Sequence, residues 1–519
     1  MSKVQQLSCQ QAAELIQDGD KVILGGFIGA VVPEAVEQAV GERFLATGHP
    51  KNLELIFAAG QGDGKEKANN HLSYEGMVSS AIGGHWGLIP RLQKLANEGK
   101  ITGFNLPQGV LCQLFRDSAA GKPGCISHVG LGTFVDPRVE GGRINSVTTD
   151  ERVQLTEVAG KEYLFYSRID ANVALLRGTT ADENGNISME DECLILENLA
   201  AAQLVHNQGG TVIVQVKKVV PVGKIAPQSV RIPGIFVDAI VIEQESNHMQ
   251  TFAEEMNLSY VGRGERLQSQ SEPRRLDAKK VIARRAAMEL KKGAVINYGI
   301  GAPEVIAQVT DEEGVSDQLI ATVEPGAIGG TPAGGLSFGA SAFPEAIITQ
   351  DQMFDFYDGG GLDQAFLGLA ETDRKGDLNV SKFGPKIAGC GGFIDITQNA
   401  KQVFFCGTFT AGRSKIHAQD GELNIVEEGS IDKFIDQVQQ ITFSSDTARA
   451  NSKPVMYITE RAVFQLSDKT IELIEIAPGV DLDRDILAHM AFTPKISRDL
   501  KRMDSRIFYD CPMGLELTN

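Results

Sequence analysis

The sequence predicts an α/β protein made of two related open α/β domains with mainly parallel sheets, a fused tandem duplication. Three observations lead there. Short apolar, β-branched runs alternate with helical patterns along the chain. One order of elements occurs twice. A polar stretch separates the two copies. The first copy starts with a helix-like stretch at Ala12-Ala13-Glu14-Leu15, and Asp18-Gly19-Asp20 closes it as a turn. Lys21-Val22-Ile23-Leu24 follows as a buried strand. It runs into Gly25-Gly26-Phe27-Ile28-Gly29 and then Val32-Pro33-Glu34-Ala35-Val36. The second copy places Ala286-Ala287-Met288-Glu289-Leu290 before Lys291-Lys292-Gly293. Ala294-Val295-Ile296-Asn297, Gly299-Ile300-Gly301 and Pro303-Glu304-Val305 come next. Both copies therefore run helix, Gly turn, apolar strand, Gly-rich loop, Pro-Glu, helix. Such units can recur by chance in α/β proteins, but the shared order of Gly and Pro favours a duplication.

Gly262 to Pro273 carries few apolar residues, which makes 265–275 the expected linker between halves at 1–264 and 276–519. Leu53–Ala58, Thr211–Val216 and Ala239–Ile242 have the composition of strands. Glu192 to Gln208 has helical spacing and ends at Gly209-Gly210. A helix running straight into a β-branched strand is the mark of a parallel sheet. Ligands bind such sheets at loops that follow the carboxyl ends of strands, so the Gly-rich loops after Leu24 and Asn297 are candidate sites.

Composition excludes several classes. The chain has 519 residues with 49 Lys+Arg and 67 Asp+Glu, a formal charge of −18. That charge repels phosphate backbones, so no general nucleic-acid partner is expected. Hydrophobic content of 42% is too high for a disordered chain. No apolar run reaches about 18 residues, so no spanning helix and no membrane role are expected. The first residues lack an apolar signal core. Seven scattered cysteines with no C-x-x-C pair fit a reducing cytoplasm and disfavour a disulfide framework.

Three familiar motifs fail on inspection. Gly60-Gln61-Gly62-Asp63-Gly64-Lys65 resembles a phosphate loop, but Ala59 and Glu66 stand where Gly and Ser/Thr are needed. Gly299-Ile300-Gly301 is followed by Glu304 where a dinucleotide fingerprint has its third glycine, and that carboxylate would face pyrophosphate. Gly335-Leu336-Ser337-Phe338-Gly339 matches a serine-hydrolase elbow but follows a loop instead of a strand. The eight histidines form no H-x-x-x-H pair, so no metal site is expected. His85, beside the single tryptophan Trp86, is either a pocket residue or a structural one. One feature stands out: the apolar strand Leu319–Val323 delivers Glu324 into a loop of Pro and Gly. Partial exclusion of water there would change the basicity and nucleophilicity of its carboxylate. Taken on spacing alone, an ordinary surface turn explains it as well.

Taken in order, these stretches resemble the family I CoA-transferases, and the resemblance covers nearly the whole chain. Gly19 to Pro33 is similar to the first-subunit signature of that family. Asn105-Leu106-Pro107-Gln108-Gly109 resembles its P-Q-G segment, and Asn297 to Pro303 its G-I-G-x-P loop. Gly389-Cys390-Gly391-Gly392-Phe393-Ile394-Asp395 resembles its G-x-G-G-x-x-D loop. The resemblance places Glu324 as nucleophile. It suggests backbone amides near Gly391 or Gly392, and the amide of Gln108, as oxyanion donors. It assigns pantetheine contact to Gly299, Gly301, Ala302 and Pro303. Val31 departs from the pattern, because the signature has glycine there. Val323-Glu324-Pro325-Gly326 replaces the S-E-N-G of the succinyl-CoA:3-ketoacid branch and speaks against that activity. Gly132–Arg138 and Gly178–Asp182 are closer to the acetate/propionate branch with both halves fused.

The resemblance implies transfer of CoA between a short-chain acyl-CoA and a free carboxylate of the acetate, propionate, butyrate or acetoacetate class. The route is ping-pong, through a glutamyl-CoA thioester on Glu324. Coenzyme A is then a substrate, and no tightly bound cofactor is expected. A cytoplasmic homodimer or homotetramer follows from the family. Two alternatives stay open: an acyl-CoA hydrolase on the same scaffold, and a non-catalytic acyl-CoA-binding regulator.

Overall fold

The computed structural model describes residues 4–243, 247–265 and 274–518. Of the expected linker, residues 266–273 lie outside the described residues. The chain packs into two compact units. The first takes the N-terminal half together with Val323–Asp355 and Phe383–Asp395. The second takes the remainder of the C-terminal half, including Phe356–Lys382. Compaction therefore cuts across the two sequence halves. Glu324, Gly391 and Gly392 fold with the first unit, alongside Gln108.

The first unit is built on an eight-stranded sheet. Its elements are β1 (Gln5–Leu7), α1 (Cys9–Glu14), β2 (Lys21–Leu24), α2 (Glu34–Thr47), β3 (Leu53–Phe57), β4 (Val78–Gly83), α3 (Pro90–Asn97), β5 (Thr102–Asn105), α4 (Gln108–Ala119), β6 (Val173–Arg177), α5 (Asn198–Asn207), β7 (Thr211–Val216) and β8 (Ala239–Ile242). The strands lie in the order β1-β8-β7-β6-β2-β3-β4-β5, and every neighbouring pair is parallel. Alternation sends Val22, Leu24, Leu55, Phe57, Leu175 and Ile213 to one face. There they bury against Ala12 and Ala13 of α1 and Val36 and Val40 of α2.

The second unit repeats the theme. It contains α6 (Ala278–Ala287), β9 (Val295–Tyr298), α7 (Glu304–Glu312), β10 (Ile320–Thr322), β11 (Gln364–Gly368), β12 (Gln402–Cys406), β13 (Val455–Ile458), β14 (Ala462–Leu466), β15 (Ile471–Ile476) and β16 (Lys495–Arg502). Five adjacent strands, β10-β9-β11-β12-β13, are mutually parallel; β14 then pairs antiparallel with β13, and β15 antiparallel with β14.

The two halves share a second echo. Ala181-Asp182-Glu183-Asn184-Gly185 and Thr372-Asp373-Arg374-Lys375-Gly376 make the same turn. Asp182 Oδ1 accepts from the backbone N–H groups of Asn184 and Asn186 at 2.9 and 3.0 Å. Asp373 Oδ1 accepts from those of Lys375 and Asp377 at 2.9 and 3.2 Å. Gly185 and Gly376 each take a positive φ, 85° and 93°, that only glycine adopts cheaply.

Two helices differ from expectation. The stretch Glu192–Gln208 is helical only over Asn198–Asn207. Leu196 at φ 60° breaks the periodicity upstream, and Glu192 turns inward to pair with Arg177. In the second copy the helix is Ala278–Ala287, set by Asp277 accepting from the Lys280 N–H at its start. Met288–Leu290 is a turn and not a continuation. Ser337 of the elbow-like motif lies in a 3₁₀ turn, hydrogen-bonded to Thr251 and Glu254, so it serves packing.

Candidate active site

The loops at the carboxyl ends of β2, β3, β4 and β5 interlock along one edge of the first sheet. After β2, Phe27 and Ala30 exchange backbone hydrogen bonds of 2.9 Å. Gln61, after β3, donates Nε2 to the carbonyls of Leu24 and Gly26 at 3.0 and 2.9 Å. Ile28 and Val31 take positive φ values of 54° and 58°. That conformation is a genuine outlier for a β-branched residue, so strain is stored here and held by the surroundings. The Val31 backbone thus adopts the glycine-like conformation that the family signature provides for.

A buried network supports this loop from below. Arg177, at the end of β6, donates Nη1 to the Val32 carbonyl at 3.3 Å and pairs through Nη2 with Glu192 at 2.9 Å. His248 Nε2 meets the other Glu192 oxygen at 3.2 Å. Burial alone would raise the Glu192 carboxyl, but Arg177 and His248 hold it well below the usual carboxylate range. No sequence motif marks this trio, since the three residues are spread over 71 positions and only the fold gathers them.

Glu324 is presented on a tight turn. The chain leaves β10 at Thr322, Gly326 donates to the Val323 carbonyl at 3.0 Å, and Val323 donates to Ala327 at 2.9 Å. Val323 and Ala327 are buried among Phe27, Ala30, Val31, Ala59 and Phe338. The turn is thereby anchored on both flanks, with Glu324 partly exposed between them. Gly326 sits at φ +125°, and a Cβ there would stand 2.0 Å from the Ile348 carbonyl oxygen. Only glycine closes this turn.

Gln108, Gly391 and Gly392 meet at the ends of β4 and β5. Gln108 donates its backbone N–H to the Gly391 carbonyl at 3.0 Å. Gly391 in turn donates to the Gly84 carbonyl at 2.8 Å. Asn105 ties the two strands together: Nδ2 donates to Gly83 and Gly84, and Oδ1 accepts from the Cys390 N–H at 2.9 Å. This geometry separates the expected oxyanion donors. The Gly391 N–H is engaged by Gly84, so Gly391 shapes the loop, at φ 52°, and donates nothing to a ligand. The Gln108 backbone N–H is engaged as well. The Gln108 side chain is 2% exposed, and its Nε2 has no acceptor among the described residues. The Gly392 N–H pairs with no backbone carbonyl among the described residues. A buried amide left without an acceptor costs about 1–3 kcal/mol, and a ligand oxygen would recover that. His85 lies in the same nest, half-buried, its backbone oxygen 2.1 Å from where a Gly60 Cβ would be. Loss of hydration, with Lys386 nearby, holds its pKa down at about 4, so it is neutral at neutral pH.

Behind Gln108, helix α4 faces buried acid. Cys112 Sγ lies 3.8 Å from Glu197 Oε2, and Gln350 Nε2 lies 3.3 Å from the same sulfur. Burial, then the nearby Asp351 charge, raises Glu197 from 4.5 to about 8. The folded chain keeps a proton here that the unfolded chain loses at lower pH. Stability from this group is intact below pH 4.5 and falls as pH rises toward about 8. Glu197→Gln keeps the shape and cannot ionise. It should stabilise the protein at pH 8 by on the order of 2–5 kcal/mol and have little effect near pH 4. Thermal unfolding of both forms across that range tests this, and a difference independent of pH would contradict it.

Gly299–Pro303 folds in the second unit at the carboxyl end of β9. Gly299 donates to the Phe366 carbonyl at 2.8 Å, and a Cβ on it would meet Leu367 at 2.8 Å. Gly301 turns the chain at φ 98°, and Ala302 and Pro303 lead into α7.

Comparison with known proteins bears on this arrangement. A family model described as coenzyme A transferase matches residues 7–243. Acetate CoA-transferase YdiF of Escherichia coli is 45% identical over 516 residues, 99% of this chain and 97% of that one. Caffeate CoA-transferase of Acetobacterium woodii is 44% identical over 516 residues, 98% of each chain. A crystal structure of Escherichia coli acyl-CoA transferase YdiF, as a thioester complex with CoA, matches with a TM-score of 0.95 and 43% identity, over 100% of this chain and 98% of that chain. An enzyme that shares nearly half its residues with these transferases from end to end, and their fold throughout, belongs to the coenzyme A transferase family.

Proposed function

We propose that this CoA-transferase moves CoA from a short-chain acyl-CoA to a free carboxylate, with Glu324 as the covalent carrier. The observation that carries the reading is the rigid, partly exposed Glu324 turn. It stands in the same compact unit as the unengaged donor Gln108 Nε2 and the backbone N–H of Gly392. The Glu324 carboxylate attacks the thioester carbonyl, and the C–S bond breaks. CoA leaves as thiolate, and a mixed anhydride remains. The thiolate attacks the glutamyl carbonyl and expels the first carboxylate, leaving glutamyl-CoA. The acceptor carboxylate reverses both steps, so no ATP is needed. Each addition creates an oxyanion, which Gln108 Nε2 and the Gly392 N–H stabilise. The Gly299–Pro303 loop contacts pantetheine. The relatives named for acetate and the thioester complex with CoA support this route, and we assign the acetate class as substrate. We also assign a cytoplasmic homodimer or homotetramer.

The test is the intact mass of the protein after mixing with acetyl-CoA in the absence of acceptor. The expected result is a gain of one CoA less one water, sensitive to borohydride and discharged by acetate or propionate. Steady hydrolysis of acetyl-CoA without an adduct would replace this reading with a hydrolase. Neither adduct nor turnover would replace it with a binding protein.

A further inference from the structure

We infer that Asp395 is a positioning residue that holds Gln108 in place through the first turn of α4. The inference rests on the proposed role of Gln108. Helix α4 begins at Gln108, directly after Pro107, with no side-chain cap and no acidic residue in its first turn. Its positive end is therefore not neutralised by its own sequence. The segment that carries Gly391 and Gly392 supplies what α4 lacks. Gly391 accepts the Gln108 N–H at 3.0 Å. Four residues on, the fully buried Asp395 carboxylate lies against the next residue of the helix: a Cβ built on Gly109 would stand 2.4 Å from Asp395 Oδ1 and 2.6 Å from the Phe354 ring.

Asp395 is also in the first turn of its own helix, Phe393–Asn399. Its carboxyl thus packs at the start of its own helix and against the first turn of α4. One short stretch grips α4 twice, at Gln108 by a hydrogen bond and at Gly109 by a packed carboxylate. Glycine at 109 is what lets the carboxylate approach. The result is a helix start whose rotation and depth are fixed, so that Gln108 Nε2 is aimed while remaining buried. A donor aimed at a developing oxyanion is sensitive to such control, since a shift of about 1 Å can cost about a hundredfold in rate.

The test uses Asp395→Asn, which keeps the volume and replaces the carboxyl by an amide, and Gly109→Ala, which intrudes on the same contact from the other side. Each should lower kcat by roughly tenfold to a hundredfold, with KM for the carboxylate changed less than about threefold. In a Gln108→Ala background, Asp395→Asn should cost less than about threefold more, because its effect runs through Gln108. Gly109→Ala also reports if Asp395→Asn fails to fold. Equal losses in both backgrounds would overturn the inference, as would a rise in KM at constant kcat. In either case wild type would still form the CoA adduct, whereas failure of the proposed function itself would show as no adduct in wild type.

Discussion

Glu324→Ala is expected to form no CoA adduct and to lose on the order of 10⁴–10⁶ in the rate of CoA transfer. The size of the loss follows from the role. Without the carboxylate there is no acyl acceptor within the protein, and the ping-pong route has no first step. The turn that presents Glu324 is anchored by the buried Val323 and Ala327 and the backbone bonds at Gly326. Glu324→Asp separates chemistry from placement. It keeps the carboxylate but retracts it by one methylene, so the adduct should form about 10²–10³-fold more slowly without disappearing. Gly326→Ala should fail differently. Its Cβ cannot fit 2.0 Å from the Ile348 oxygen, so the turn must open and both stability and rate should fall. Intact mass and single-turnover kinetics on the three variants discriminate these outcomes. An adduct persisting in Glu324→Ala would identify another nucleophile.

The architecture was legible because parallel sheets write themselves plainly. Buried strands such as Lys21–Leu24 and Thr211–Val216 are short apolar runs, and the Gly-rich loops that follow them mark the edge where loops converge. Glu324 is visible in the sequence as a carboxylate at a strand end, but the packing around its turn is not. Phe27 and Phe338, which pack on the flanking Val323 and Ala327, are separated from Glu324 by 297 and 14 positions, and only the fold reveals the clamp. Compaction was illegible for the same reason. Residues 323–355 belong by sequence to the second half, yet their apolar faces bury against the loop after β2. The Arg177–Glu192–His248 network left no periodic signal, because a single buried charge at a strand end looks like any other charge in a string. The repeated Asp-x-x-Gly turns at Asp182 and Asp373 are written in the sequence as well, and they strengthen the case for duplication.

Gln108→Ala is expected to lower kcat by about 10²–10³-fold, with KM for acyl-CoA and acceptor changed only slightly. The asymmetry comes from what Nε2 meets at each stage. In the free enzyme it is buried without an acceptor, so its desolvation is already part of the folded state. A ground-state thioester carbonyl is a weak acceptor and recovers little of that. On the proposed route the oxyanion of the tetrahedral intermediate is a strong one, and it would form where the donor is already dry and fixed by the Gln108–Gly391 bond. The interaction is therefore realised mainly in the transition state, and its loss appears in kcat. Stability gives an independent check. Truncation removes an unsatisfied buried amide as well as some packing, so the variant should unfold close to wild type despite its low rate. Gln108→Glu should be worse than Gln108→Ala, because it places a buried negative charge where another develops. If Gln108→Ala instead raised KM with kcat intact, the side chain would be a binding contact, and the oxyanion would rest on the Gly392 N–H alone.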